Sequence, residues 1–119
     1  MRRLVIKCTA GSEDAERCNQ AFTVAAAAVA AGAEVSLWLT GEATWFGLPG
    51  RAEEFQLPHA GSLAESRDLV LAHGRLVVCA QCAARRGLTV ADLVEGAVIS
   101  GATAFTEEVL GDGVQALVY

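Results

Sequence analysis

The sequence contains no apolar run long enough to cross a bilayer. The longest, Phe22 to Ala31, is mostly alanine and includes Thr23, whereas a membrane-spanning helix needs roughly 20 apolar residues. Two arginines precede the apolar residues 4–6, but Lys7 ends that run too soon for a secretory signal. A soluble, cytoplasmic protein is the expectation. Excess basic charge is also missing. Acids and bases are mixed along the chain and sum to a net charge of -5, so no cationic stripe faces phosphates or anionic lipid, and neither nucleic acid nor membrane is an expected partner. No G-x-G-x-x-G or Walker pattern occurs. The one turn suited to a phosphate, Thr9-Ala10-Gly11-Ser12, runs straight into Glu13 and Asp14, whose charges repel an anion.

Apolar side chains, by contrast, are abundant. They make up 53% of 119 residues, with only 19% charged, which rules against disorder and supplies one core for a single domain spanning residues 1–119. It also leaves more apolar surface than a small monomer easily hides, so self-association is expected. In a chain with a core and no export signal, the four cysteines read as reduced thiols and not as a disulfide frame.

The hydrophobic pattern alternates between two periods. Residues 4–8 form a compact β-prone run ending in a turn, and Ser12 then caps a helix whose Cys18, Phe22, Ala25 and Val29 recur at helical spacing until Gly32. Residues 33–39 alternate as a second strand. Strand, helix, strand within about 40 residues is a βαβ unit with parallel strands. Residues 40–63 hold both prolines and form the least regular segment, a long loop carrying Trp45 and Phe46, which suits a lid or an oligomer contact, although aromatics folded back onto their own domain are the commoner outcome. A helix over 63–73 leads to a third strand, 74–79, and a short helix runs from Cys79 towards Gly87. Thr89 and Asp92 have capping-box spacing. A fourth strand at 96–100, a helix at 102–110 closed by Gly111, and a fifth strand at 114–119 complete the pattern. The predicted fold is α/β: a three-layer sandwich around a five-stranded parallel sheet, flavodoxin-like or Rossmann-like, with its site at the carboxyl ends of the strands near the point where strand order reverses. Cys8 and Cys79 both fall at such ends.

Cys79 and Cys82 form the only Cys-x-x-Cys in the chain. A structural zinc site wants four ligands, and neither a second pair nor two spaced histidines is available, since His59 and His73 lie far apart in sequence; no metal is expected. A thioredoxin-like dithiol fits better, because the pair lies at a strand-to-helix junction where amides favour a thiolate. No proline separates the two cysteines, however, and the pair follows the third strand. With Cys79 at the strand end or N-cap, Cys82 lies one turn on along the same side, so the two sulfurs approach each other. Arg85 and Arg86 sit roughly 9 to 10 Å further along the axis, too far to pair with the Cys79 thiolate, and read as a solvated face. Cys18 reads as a buried helix-face residue, Cys8 fits that reading moderately, and Cys79 stands where a reactive thiol would be exposed. Cys82 stays open between a resolving thiol and helix packing.

The stretch VVCAQCAARRGLTVADLVEGAVIS, residues 77–100, resembles the signature of the DsrE/DsrF-like sulfur-relay family, in which a cysteine after a strand is followed eight residues later by glycine. TAGSEDAERCNQAFTVAAAAVAAGAEVSLWL, residues 9–39, resembles that family's first strand-loop-helix-strand. Together they cover about half the chain, while Trp45-Phe46-Gly47-Leu48-Pro49 departs from the family's second loop. The resemblance implies a sulfurtransferase-type carrier that accepts sulfane sulfur as a persulfide on Cys79. Cys82 matches those members with a second cysteine. Sulfur donor and acceptor proteins or small persulfides are the implied partners, no cofactor is implied, and the implied assembly is a homotrimer or homohexamer. Two alternatives stand beside it: an oligomeric binding or assembly module in which Cys79 is a passive core residue, and a dithiol redox protein using Cys79 and Cys82.

Overall fold

The protein is described by a computed structural model covering residues 2–119. In chain order the elements are β1 (Arg3–Cys8), α1 (Ala15–Ala30), β2 (Glu34–Leu39), α2 (Arg51–Glu54), α3 (Leu63–His73), β3 (Arg75–Cys79), α4 (Ala80–Arg85), β4 (Val98–Ser100), α5 (Ala102–Val109) and β5 (Val114–Val118). All strands pair in parallel, in the order β4-β3-β2-β1-β5. The chain thus steps across the sheet from β1 to β4 and then returns through α5 to the free side of β1. Reversal of strand order falls between β1 and β5.

Strand residues alternate between two faces, and each face is covered. Ile6, Cys8, Leu37, Leu39, Leu76 and Val78 pack towards α1 and α3, around Phe22, Ala25, Leu63 and Val70. The intervening Val5, Trp38 and Val77 meet Ala104, Phe105 and Val109 of α5. Trp38 and Phe105 stack edge-on, with ring centroids 5.2 Å apart, and Lys7 Nζ lies 4.8 Å above the Phe105 ring. The expected α/β architecture, a single parallel sheet between helical layers, is the one observed.

Several local boundaries differ from the sequence pattern. Ser12 does not cap α1. Residues Ser12–Asp14 form a 3-10 turn, in which the Gly11 N–H donates to the Glu13 carboxylate, and Asp14 becomes the cap by accepting from the Arg17 N–H. The 40–63 segment is more ordered than its composition suggests: Gly41–Gly47 is a continuous 3-10 run and α2 follows it. Of its two tip aromatics, Phe46 turns inward and Trp45 stays half-buried at the surface. Phe46 is buried, wedged edge-on between Phe22 and Phe55 at centroid distances of 6.1 and 5.7 Å. Burial of Phe46 supplies the order that propensity does not, since fixing a loop backbone must be offset by area removed from water. Thr89 and Asp92 do form a capping box, over a short 3-10 turn. At the other end, α5 stops at Val109, and the left-handed turn into β5 is taken by Gly113, at φ 73°, and not by Gly111.

Two polar contacts fasten the layers. Arg67 on α3, almost fully buried, holds Glu53 on α2 through two bonds of 3.0 and 2.8 Å, the bidentate geometry in which a guanidinium binds a carboxylate most strongly. On the opposite face, the Glu108 carboxylate of α5 accepts from Ser36 Oγ at 2.7 Å, Trp38 Nε1 at 2.8 Å and Arg75 Nη1 at 3.0 Å.

Candidate functional site

Cys79 is at once the last residue of β3 and the N-cap of α4. Its backbone is extended, with φ -61° and ψ 126°, and its side chain caps no helix amide. The residue is half-buried, unlike the other three cysteines, which are buried. Cys82 follows one helical turn later and is buried, as is its neighbour Ala83, which anchors α4 on the α1 side of the sheet. The spacing therefore does bring the two cysteines to one side of the junction, near enough for the Cys79 thiol to favour ionisation of Cys82. All four cysteines are free thiols.

The environment of Cys82 is the part that spacing alone did not reveal. Its sulfur accepts a hydrogen bond of 3.2 Å from the Gly41 N–H, at the end of β2. Gly41 lies at φ 55°, and a Cβ there would stand 2.8 Å from the Thr9 carbonyl oxygen. Only glycine, then, lets the chain turn so that this amide faces the sulfur. Arg85 Nη1 lies 4.0 Å from the same sulfur, and Thr44, fully buried, presents a hydroxyl beside it. Burial on its own opposes ionisation of Cys82. It is outweighed by the Gly41 amide, the Cys79 thiol, the positive charge of Arg86 and the Thr44 hydroxyl, which together hold the Cys82 thiol below its ordinary value.

Of the two arginines, Arg85 is exposed as expected, whereas Arg86 is not part of a solvated face. Arg86 folds back along α4, donating to the Cys82 carbonyl at 3.1 Å and to Glu42 Oε2 at 2.7 Å. The reason is that Glu42, at the start of the 3-10 run after β2, lies beside the end of α4, a proximity created by sheet order and invisible in sequence. The Arg86 hydrogen bond and charge hold the Glu42 carboxyl below its ordinary value, with help from Trp45. The Trp45 Nε1 donates to Glu42 at 3.2 Å, and its ring is flanked by the guanidiniums of Arg51 at 4.8 Å and Arg86 at 5.9 Å. A cleft of about 300 Å³ opens beside this cluster, walled by Ser12, Glu13, Glu42, Trp45, Arg51 and Glu54.

Cys8 and Cys18 are brought together as well, but inside the core, both wholly buried. Cys8 donates to the Ala10 carbonyl at 3.3 Å. The hydrogen bond to Cys8, followed by burial, pushes the Cys18 thiol far above its ordinary value. Cys8 thus ends a strand without lining a site. The Cys79–Cys82 pair does lie at carboxyl strand ends, but beside β2 and β3, away from the β1–β5 reversal where the fold class predicts the crevice. The reason is that the loop after β2 curls over β3 and α4, building a recess there. His59 and His73 line separate surface clefts, and among the described residues no three His, Cys, Asp or Glu side chains are arranged to hold a metal ion. No helix among the described residues is long and apolar enough to cross a membrane.

Gly41, Glu42 and Thr44 are the site residues that sequence reasoning missed. Their one signal was Gly41, two residues past the end of β2, the strand that pairs with the cysteine-bearing one.

Comparison with solved structures gives the same architecture. The ychN protein from E. coli superposes with a TM-score of 0.81 at 20% identity, covering all of both chains. MTH1491 of Methanobacterium thermoautotrophicum, a protein of unknown function, gives 0.64 at 11% identity, again over both whole chains. BT1422 of Bacteroides thetaiotaomicron, also of unknown function, gives 0.60 at 16% identity over 98% of this chain and 94% of its own. At such identities the likeness is one of fold. No curated protein matches the sequence. The DsrE/DsrF-like family matches over residues 2–117, and with the strand-end cysteine, the parallel sheet and the matched span in agreement, the chain belongs to the DsrE/DsrF-like family.

Proposed function

We propose that the protein is a sulfur carrier that takes up sulfane sulfur as a persulfide on Cys79 and hands it to an acceptor thiol. The observation that carries this reading is the placement of Cys79: half-buried, at the carboxyl end of β3, its side chain committed to no cap and a second thiol alongside. Family membership supports it. In the first step the Cys79 thiolate attacks the outer sulfur of a donor persulfide, a new S–S bond forms, and the donor leaves as a thiolate. In the second, an acceptor thiolate attacks the outer sulfur of Cys79-S-SH and the Cys79 thiolate is released. Both are thiol exchanges with no net redox change. Donors and acceptors are proteins or small persulfides, and the reading suits a reducing compartment such as the cytoplasm.

Exposed Leu110, Leu117 and Val118 on the α5–β5 side support assembly into a homotrimer or homohexamer. Sedimentation measures the assembly directly. The sulfur reading is tested by intact mass after incubation with glutathione persulfide. In a Cys82→Ser chain, where no second thiol can discharge the persulfide, the reading expects a gain of one sulfur atom on Cys79, abolished when Cys79→Ser is added; undiminished uptake by that double variant sinks it.

A further inference from the structure

Cys82 sits in a recess made of hydrogen-bond donors. The Gly41 N–H points at its sulfur from 3.2 Å, the Arg85 guanidinium reaches it at 4.0 Å, and Cys79 adds a thiol. Thr44 completes the set. Its side-chain oxygen is fully buried beside Cys82 and has no hydrogen-bond partner of good geometry among the described residues. A buried hydroxyl left unpaired costs free energy unless something accepts its proton. No acceptor faces the sulfur in turn: among the described residues Cys82 donates to no oxygen, whereas Cys8 donates to a carbonyl. A neutral thiol in this recess has no oxygen to accept its proton, while an anionic sulfur is served by the Gly41 amide and the Arg85 guanidinium, with the unpaired Thr44 hydroxyl nearby.

We propose that Cys82 is the attacking sulfur of the pair, cleaving a persulfide held on Cys79 and releasing the outer sulfur as hydrosulfide, with Gly41 and Thr44 as positioning residues. The proposal rests on the persulfide reading and adds a second fate for the bound sulfur. The Cys82 thiolate bonds to the inner sulfur, that of Cys79. The inner-to-outer S–S bond breaks and its electron pair leaves with the outer sulfur as HS⁻. The sulfane sulfur is reduced to sulfide, and the two cysteines are oxidised to a Cys79–Cys82 disulfide, which a small-molecule or protein dithiol reduces to complete the cycle. The three-residue spacing across one helical turn suits such a bond. The loop after β2 is then part of the chemistry, because it supplies both the amide and the hydroxyl.

The experiment compares the whole wild-type chain with Cys82→Ser, Cys82→Ala and Thr44→Val, each checked for native circular dichroism and given glutathione persulfide. Wild type is expected to release about one equivalent of hydrosulfide per chain and to become two hydrogens lighter, with the bond mapped to Cys79–Cys82. The Cys82 variants are expected to gain one sulfur atom and keep it. Two Cys82 variants guard against one failing to fold. Thr44→Val should slow release about tenfold, the size of effect one hydrogen bond to a charged group has, and should move the ultraviolet thiolate absorbance of Cys82 to higher pH, which a purely structural role would not do. Wild type that retains its persulfide and releases no hydrosulfide overturns the role of Cys82 and leaves the carrier standing. Failure of the Cys82 variants to take up any sulfur overturns the carrier, and this inference with it. Thr44→Val with unchanged release and titration removes Thr44 from the recess.

Discussion

The guanidinium of Arg86 grips the carboxylate of Glu42 at 2.7 Å while holding the Cys82 carbonyl at 3.1 Å. One side chain therefore ties the end of α4 to the loop that follows β2, the two segments that enclose the sulfur. Replacing Arg86 by Gln removes a positive charge that favours the Cys82 thiolate. The thiolate absorbance should shift to higher pH and Trp45 emission should change, because the ring loses one of its two flanking guanidiniums. A pH titration of absorbance and fluorescence on the same sample checks both; an unmoved thiolate curve would count against Arg86.

Gly41→Ala places a methyl group 2.8 Å from the Thr9 carbonyl oxygen at a residue with φ 55°. The expected loss is about 2 kcal/mol, from left-handed strain and the forced shift together. Chemical denaturation measures it, and a smaller loss than for Gly61→Ala, where nothing stands within 4 Å, would contradict the geometry.

Glu108 is the common acceptor for Ser36, Trp38 and Arg75. Glu108→Ala leaves two buried donors without a partner and should cost about 2 to 4 kcal/mol. Because Trp38 Nε1 is one of those donors, its emission changes in the native baseline. A mutant with wild-type stability and an unshifted Trp38 spectrum would contradict the contact.

Glu53 reports on acid stability. The Arg67 hydrogen bond pulls its carboxyl from an ordinary value of 4.5 to about 2. A carboxyl depressed in the folded state adds stability that is fully present above 4.5 and is lost as pH falls from there towards 2. Glu53→Gln should flatten the pH dependence of the melting temperature across that window and lower stability at neutral pH by about 1 kcal/mol. Half of the Glu53 side chain is exposed, so solvent screening keeps the effect small. An unchanged slope between pH 2 and 4.5 would rule the pair out as a source of acid sensitivity.

How far the sequence revealed the molecule follows from the range of the forces involved. Strands and helices were legible because Ile6, Leu37, Leu76 and their neighbours repeat at periods set by local geometry. Cys79 was legible for the same reason: strand end and helix start are adjacent in the chain. The partners of Cys82 were not. Gly41 and Thr44 lie about 40 residues upstream, and only the parallel pairing of β2 with β3 brings them near. Arg86 read as a solvated charge, and its pairing with Glu42 exists only after the sheet has formed. Inward packing of Phe46 matched the commoner outcome for loop aromatics, but its partners Phe22 and Phe55, which order the segment, follow no local period.

The central position of β1 also has a consequence during synthesis. One of its two ladders, from Arg3↔Val114 to Lys7↔Val118, joins segments about 110 residues apart in the chain and forms only once β5 has been made. Until then that edge of β1 carries unpaired amides and carbonyls, a template open to any passing strand. Any chain in which β5 is absent or detached therefore exposes this edge of β1 to mispairing.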